Sequence, residues 1–283
     1  MRLDVKKTYK LFIGGKFPRS ESGRTYELTS SKGEFVANVC LASRKDARDA
    51  VVAARAAQPG WASATAYNRG QILYRIAEML EGRREQFVEE IRTLTGATEK
   101  QANQEVDAAI DSWVWHAGWS DKVDSVAGSM NPVAGPYFNI STNQPTGVVA
   151  AFAPQKSSLV GLVNTIAPVI VTGNTIVVVA SEMLPLSAIT LTEVLATSDL
   201  PGGVVNVLTG KESEMAPWLA SHQDVNALDL EGTSDPVTLE IRGAETLKRV
   251  VRPGSFERTG PKGSLQQILA FMEVKTVWHP KGH

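Results

Sequence analysis

The sequence predicts an α/β fold built on a parallel sheet covered by helices on both faces. Four short apolar runs, GVVAAFAP, TIVVVA, VVNVLTG and ALDLEG, follow one another after Thr146. Each is followed by a segment of helix length. Continuously apolar strands alternating with helices read as strands buried on both faces, the pattern of a doubly wound, nucleotide-binding-type architecture.

The elements before Thr146 have a different texture. The first forty residues read as short strands and turns, and KLFIGGKF carries a Gly-Gly hairpin signal between apolar runs. Ser43 followed by Asp46 reads as a helix cap, and the Ala-rich stretch behind it reads as a helix that stops near Pro59-Gly60. Ile72, Ile76 and Leu80 share one helical face, Phe87, Ile91 and Leu94 a second, and Val106, Ile110 and Trp113 a third. These stripes read as core, as does the cluster Trp113, Trp115 and Trp119, because large aromatics mostly fill space. The charges of REQFVEEIR read as one wet helix face. After Arg252 a Gly/Pro-rich link, RPGSFERTGPKG, leads to an alternating segment, FMEVKTVWHP, that reads as a strand.

Composition narrows the function classes. With 283 residues, 43% hydrophobic and 21% charged, the chain has an ordinary globular balance and enough length for a sizeable core. A net charge of -1 with dispersed basic residues argues against nucleic acid or an anionic membrane as partner. No apolar run is long enough to span a membrane, and the opening MRLDVKKTYK lacks an apolar leader core, so a cytoplasmic location is expected. The single cysteine, Cys40, excludes an internal disulfide framework and reads as a small buried hydrophobe. His279 and His283 stand four apart, but Pro280 and Gly282 intervene, so a solvated tail and no metal site is expected.

Four stretches, in order, resemble the aldehyde dehydrogenase family over nearly the whole chain. AARAAQPGWA with NRGQILYRIAEMLEGRRE resembles its first helices, and IAPVIVTGNTIVVVASEMLPLSA the second strand of its dinucleotide domain. DLPGGVVNVLTG resembles the third strand, and FMEVKTVWHP the C-terminal strand. The resemblance implies a Rossmann-like, NAD-binding-type domain over residues 1–252. It also implies a small β oligomerisation arm, made of a hairpin at about 125–145 and the C-terminal strand within 253–283.

The family's chemistry uses a cysteine thiolate in a separate catalytic domain, with a glutamate as general base. Here LKRVVRPG runs straight into the C-terminal link, so that domain and both of its groups are expected to be absent.

The cofactor motifs also depart from the family. Pro-Trp-Asn-Phe-Pro becomes Pro154-Gln155-Lys156-Ser157-Ser158, with Lys156 at the oxyanion-binding Asn. A cation can stabilise an oxyanion, but with no nucleophile beside it Lys156 reads as a surface or partner-facing residue. Lys-Pro-Ser-Glu becomes Val179-Ala180-Ser181-Glu182, which removes a ribose donor and leaves only Ser181 and Glu182. Ser181 reads equally as a helix cap. Gly-x-Gly-x-x-x-Gly becomes a run from Gly210 to Ala216, in which Glu212 and Glu214 add bulk and negative charge beside the expected path of a pyrophosphate. Gly-Ser-Thr-Glu-x-Gly becomes a run from Gly232 to Val237, where Asp235-Pro236 reads as a cap. Ser181, Glu182, Gly210 and Gly232 are thus remnants of a site, and no bound cofactor is expected.

Together these readings imply a non-catalytic subunit that assembles with and supports a full-length aldehyde dehydrogenase in a hetero-oligomer. Selection for the partner would keep the arm while the site decays. The interface is expected on Phe271, Met272, Val274, Thr276 and Trp278, with Met272, Val274, Thr276 and Trp278 sharing the more apolar face of the strand. The alternative is that the strand packs only on its own hairpin near Pro136 and Phe138. Against the subunit reading stand an oxidoreductase of residual NAD(P)-linked activity, a dinucleotide-binding sensor, and an inert remnant or engineered deletion.

Overall fold

The computed structural model describes residues 6–282. The reading of His279 with His283 falls outside them at its second member. Strands β1 (Thr8–Tyr9), β2 (Thr25–Thr29) and β3 (Phe35–Cys40) form a small sheet in the order β1-β3-β2. Between β1 and β2, Gly14 and Gly15 turn the chain at φ +60° and +78°, and Ile13 bridges Lys16. A Cβ on Gly15 would stand 2.9 Å from the Cα of Gly202, so only glycine fits this turn.

Helix α1 (Arg44–Ser63) begins with the Ser43–Asp46 capping box that the sequence predicts. It does not stop at Pro59-Gly60. Pro59 removes one backbone donor, but the last turn is held by Trp61, whose buried indole N–H donates to the Ile170 carbonyl at 2.8 Å. Helices α2 (Ala66–Glu81), α3 (Arg84–Thr95) and α4 (Glu99–Trp119) bury the three stripes read from their periodicity. The charged face of α3 is not wholly wet. Glu90 is buried and accepts from Thr190 Oγ1 at 2.6 Å and from the Tyr9 hydroxyl at 3.3 Å. Burial pushes its carboxyl up, against the pull of these bonds.

A short α5 (Val123–Ala127) leads to β4 (Ser129–Asn131) and β5 (Tyr137–Pro145). The central units follow: β6 (Val148–Phe152), α6 (Val160–Ile170), β7 (Thr175–Val179), α7 (Leu186–Ala196), β8 (Val205–Leu208), α8 (Glu212–Ser221), β9 (Ala227–Asp229), α9 (Pro236–Ala244) and β10 (Arg249–Val251). Their strands make one parallel five-stranded sheet in the order β10-β9-β6-β7-β8. Alternate residues face two cores. Val149, Ala151, Ile176 and Val178 pack toward α4, α6 and α7, while Val148, Ala150, Val177 and Val179 pack toward α1 and α8. Because both faces are covered, the strands read as continuous apolar runs instead of alternating ones. The fifth strand, β10, is too short and too charged to stand out in the sequence.

After β10 come α10 (Leu265–Leu269) and β11 (Met272–Pro280). β11 joins β5 antiparallel from Met272 opposite Pro145 to Pro280 opposite Tyr137, giving a second three-stranded sheet in the order β11-β5-β4. This arm projects as a single layer: beyond Met272, every residue of β11 is exposed. Among the described residues no helix is long and apolar enough to cross a membrane, and no group of three His, Cys, Asp or Glu is placed to hold a metal ion.

Candidate functional site

A cleft of about 350 Å³ opens at the carboxyl ends of β6–β9, lined by Gln155, Glu182, Gly210, Glu212, Gly232 and Thr233 among others. This is where ligands bind in open parallel α/β sheets. The structure brings Glu182, Gly210 and Gly232 to this one place, with Ser181 just beneath. Ser181 is buried; its hydroxyl donates to the Gln155 carbonyl at 3.0 Å and accepts from the Leu184 amide at 3.1 Å. It ties the turn before α7 and is not free for a ligand.

The two glycines serve the chain's own packing. A Cβ on Gly232 would fall 1.9 Å from the Ala153 carbonyl oxygen, and one on Gly210, at φ +117°, 2.7 Å from Leu41 Cδ1. They bring the loops after β8 and β9 close to the sheet and thereby shape the cleft. Val179, at the expected ribose donor, is buried in the core. Asp235 caps α9 by accepting from the Thr238 amide, with Pro236 in the first turn. Lys156 is exposed, and Cys40 is buried at the end of β3.

Across the cleft lies a contact that the sequence does not suggest. Glu212, the first residue of α8, reaches the loop that starts α9. One carboxylate oxygen accepts from the Thr233 hydroxyl; the other accepts from the Ser234 amide at 3.3 Å and its hydroxyl at 3.5 Å.

Residues 17–252 match the aldehyde dehydrogenase family. The chain belongs to that family. It is 30% identical to a putative aldehyde dehydrogenase, DhaS, of Bacillus subtilis, over 86% of this chain and 50% of that protein. It is 32% identical to the 2-hydroxymuconic semialdehyde dehydrogenase of a Pseudomonas strain, over 92% of this chain and 54% of that protein. An NAD+ complex of an aldehyde dehydrogenase from Bacillus cereus superposes with a TM-score of 0.80 at 28% identity, covering 86% of this chain and 50% of that one. A betaine aldehyde dehydrogenase of Staphylococcus aureus in complex with NAD+ gives 0.81 at 25% identity, covering 86% and 49%. The chain thus spans about half the length of the aldehyde dehydrogenases it matches.

The expectation of no cofactor is corrected by this comparison. Solved structures sharing the fold around this cleft are NAD+ complexes. Substitutions in the motifs, such as Val179 at the ribose donor, point to loss of the site, but the cleft is shaped largely by backbone at Gly210 and Gly232.

The predicted interface residues divide. Phe271 and Met272 are buried, at 0% and 8% exposure, and are corrected to core residues that seat β11 on the domain. The Phe271 carbonyl accepts from the Thr146 amide and from Asn174 Nδ2 at 2.8 Å. Thr276 bonds Ser141 at 2.8 Å within the arm, and Trp278 sets its ring edge to Tyr137 with 5.9 Å between centroids. Val274 and Trp278 stay exposed. The face that these residues share is crossed by the polar group Asn131, Asn139 and Ser141. The contiguous apolar row lies on the opposite face, where Met130 stands opposite Ile140 and Ile140 opposite Val277, with Phe138 two residues along. A single strand's alternation cannot reveal what its neighbours place beside it.

The link after β10 also holds more than its composition suggests. Arg258 is buried and donates to Asp229 Oδ2 and to the Asn164 carbonyl, each at 2.7 Å. Asn164 in turn donates to the carbonyls of Arg258 and Gly260 at 2.8 and 2.9 Å, and accepts from Ser112 Oγ at 2.5 Å. Burial pushes the Asp229 carboxyl up, and the Arg258 guanidinium opposes that rise. The sequence signal was a carboxylate inside the apolar run ALDLEG, which needs a buried cation.

Beneath this link lies His116, fully buried, its Nδ1 on the Ser112 carbonyl at 2.8 Å and Gly263 packed against the ring. Burial holds the imidazole down at about 4. Its folded-state value lies below the ordinary 6.5, so the unfolded chain binds the extra proton between the two. Stability from this residue is full above pH 6.5 and is lost as pH falls toward 4, by on the order of 3 kcal/mol. Urea unfolding across that range should show this slope, and His116→Phe should flatten it. An unchanged slope in the variant contradicts the assignment.

Proposed function

We propose that the chain is a non-catalytic aldehyde dehydrogenase-family subunit which assembles with a full-length aldehyde dehydrogenase through its arm and keeps a cleft for a nicotinamide dinucleotide. One observation carries this reading. Residues 252–271 lead from β10 through the short α10 into β11, docked by Arg258, and that passage holds no cysteine. Aldehyde oxidation by the family's route needs a thiolate within reach of the substrate. The sole cysteine, Cys40, is 1% exposed at the end of β3.

The cleft fits the dinucleotide in part. Glu182, in the loop after β7, offers a carboxylate acceptor for a ribose diol, and the starts of α8 and α9 border the cleft where a phosphate would enter. When bound, the nicotinamide would supply a hydride acceptor; this chain's own residues bind and orient it and take no part in bond breaking. The arm favours assembly because β11 is an edge strand and Met130, Phe138, Ile140 and Val277 are between 40% and 68% exposed on one face.

The isolated chain should show no oxidation of aldehydes with NAD or NADP, followed at the absorbance band of the reduced cofactor. Turnover that persists in a purified Cys40→Ala variant overturns the non-catalytic reading.

A further inference from the structure

We infer that Glu212 is a built-in anion gate on the dinucleotide cleft, occupying the place of a ligand phosphate and setting how tightly a dinucleotide binds. The inference rests on the reading of the cleft given above. The starts of α8 and α9 face each other across it. Helix starts present unpaired amides and a positive dipole end, which draw a phosphate where one is available. Here the chain supplies its own anion. The Glu212 carboxylate accepts from the Thr233 hydroxyl and from the Ser234 amide and hydroxyl, the donors that stand immediately before the α9 cap Asp235. Both carboxylate oxygens are thereby engaged.

The consequence follows from charge and occupancy together. A phosphate entering between the helix starts must displace the carboxylate from three donors and then sit beside its negative charge. At a few ångströms, two like charges near a protein surface repel each other. Glu212 therefore lowers dinucleotide affinity without closing the rest of the cleft. Glu182, which lines the same cleft, is not among the groups that hold the Glu212 carboxylate. Neighbouring Glu214 gives an internal control: it is paired with Arg24 at 2.7 Å and does not line the cleft.

The test is calorimetric titration of NAD+, and separately of ADP, into the full-length chain and its Glu212→Ala, Glu212→Gln and Glu214→Gln variants. Circular dichroism confirms that each is folded. Glu212→Ala should bind both ligands at least tenfold more tightly, about 1.4 kcal/mol. Glu212→Gln, which keeps the hydrogen-bond acceptor but not the charge, should fall between it and the parent, and Glu214→Gln should match the parent. If parent and variants bind with one measurable affinity, the gate is wrong while the cleft reading stands. If Glu214→Gln tightens binding as much as Glu212→Ala, a general charge effect replaces the gate. If none of the four binds either ligand, the cleft reading fails and takes the gate with it.

Discussion

Replacing Arg258 by Met should destabilise the chain by about 3–5 kcal/mol, because it leaves the buried Asp229 carboxylate without its cation. Asp229 has no exposed side-chain surface, and Arg258 only 3%. The same substitution removes the donor to the Asn164 carbonyl, so the link that covers α6 loses its main anchor. The double variant Arg258→Met, Asp229→Leu should recover most of that loss, since a buried ion pair is commonly matched in stability by well-packed apolar residues. Urea unfolding of the two variants beside the parent is the measurement. A single variant as stable as the parent shows that the pair does not hold the link. A double variant no better than the single one shows that the cost comes from lost packing and not from the stranded charge.

On the arm the expected effect is on assembly and not on folding. Val277→Glu places a charge in the exposed row Met130, Ile140 and Val277, where each residue stands opposite the next on the sheet. Val277 is 47% exposed, so the monomer loses little by the change. A partner that buries this row must desolvate the new carboxylate, which at a central interface position costs on the order of 2–4 kcal/mol, thirtyfold or more in affinity. Phe271 and Met272 are unsuited to this test, because they belong to the domain core; truncation after Ala270 would likewise remove Phe271. Light scattering coupled to size exclusion reads the outcome. Unfolding of Val277→Glu would place that residue in the core, and full retention of the complex would move the interface off this face.

Much of the fold was legible in the sequence, and the reasons are physical. The four apolar runs gave β6–β9 because a strand buried on both faces has no polar side to show. The Ser43–Asp46 and Asp235-Pro236 caps were read directly, since capping is local chemistry. Local chemistry also explains the failures. Pro59 looked like a stop because its tertiary compensation, the Trp61 indole on the Ile170 carbonyl, lies far away in sequence. Glu90 looked solvated because Tyr9 and Thr190, which receive it, come from other elements. The cofactor site was judged from missing side chains, whereas the cleft is shaped by backbone and by glycines whose neighbours no single motif displays. Glu212 was correctly seen as an added negative charge, but its partners Thr233 and Ser234 lie on another loop. The apolar side of the arm was assigned from β11 alone, and β4 and β5 reverse it.

The central claim is that this family member works as an assembled, non-catalytic subunit. Its most direct test is isolation of the tagged full-length chain from its native source, followed by identification of what accompanies it and determination of the complex mass. The account predicts a full-length aldehyde dehydrogenase in stoichiometric amount, in a particle whose mass contains both chains, and its loss from the preparation made with Val277→Glu. Recovery of the chain alone, or of a homo-oligomer with no such dehydrogenase, contradicts it.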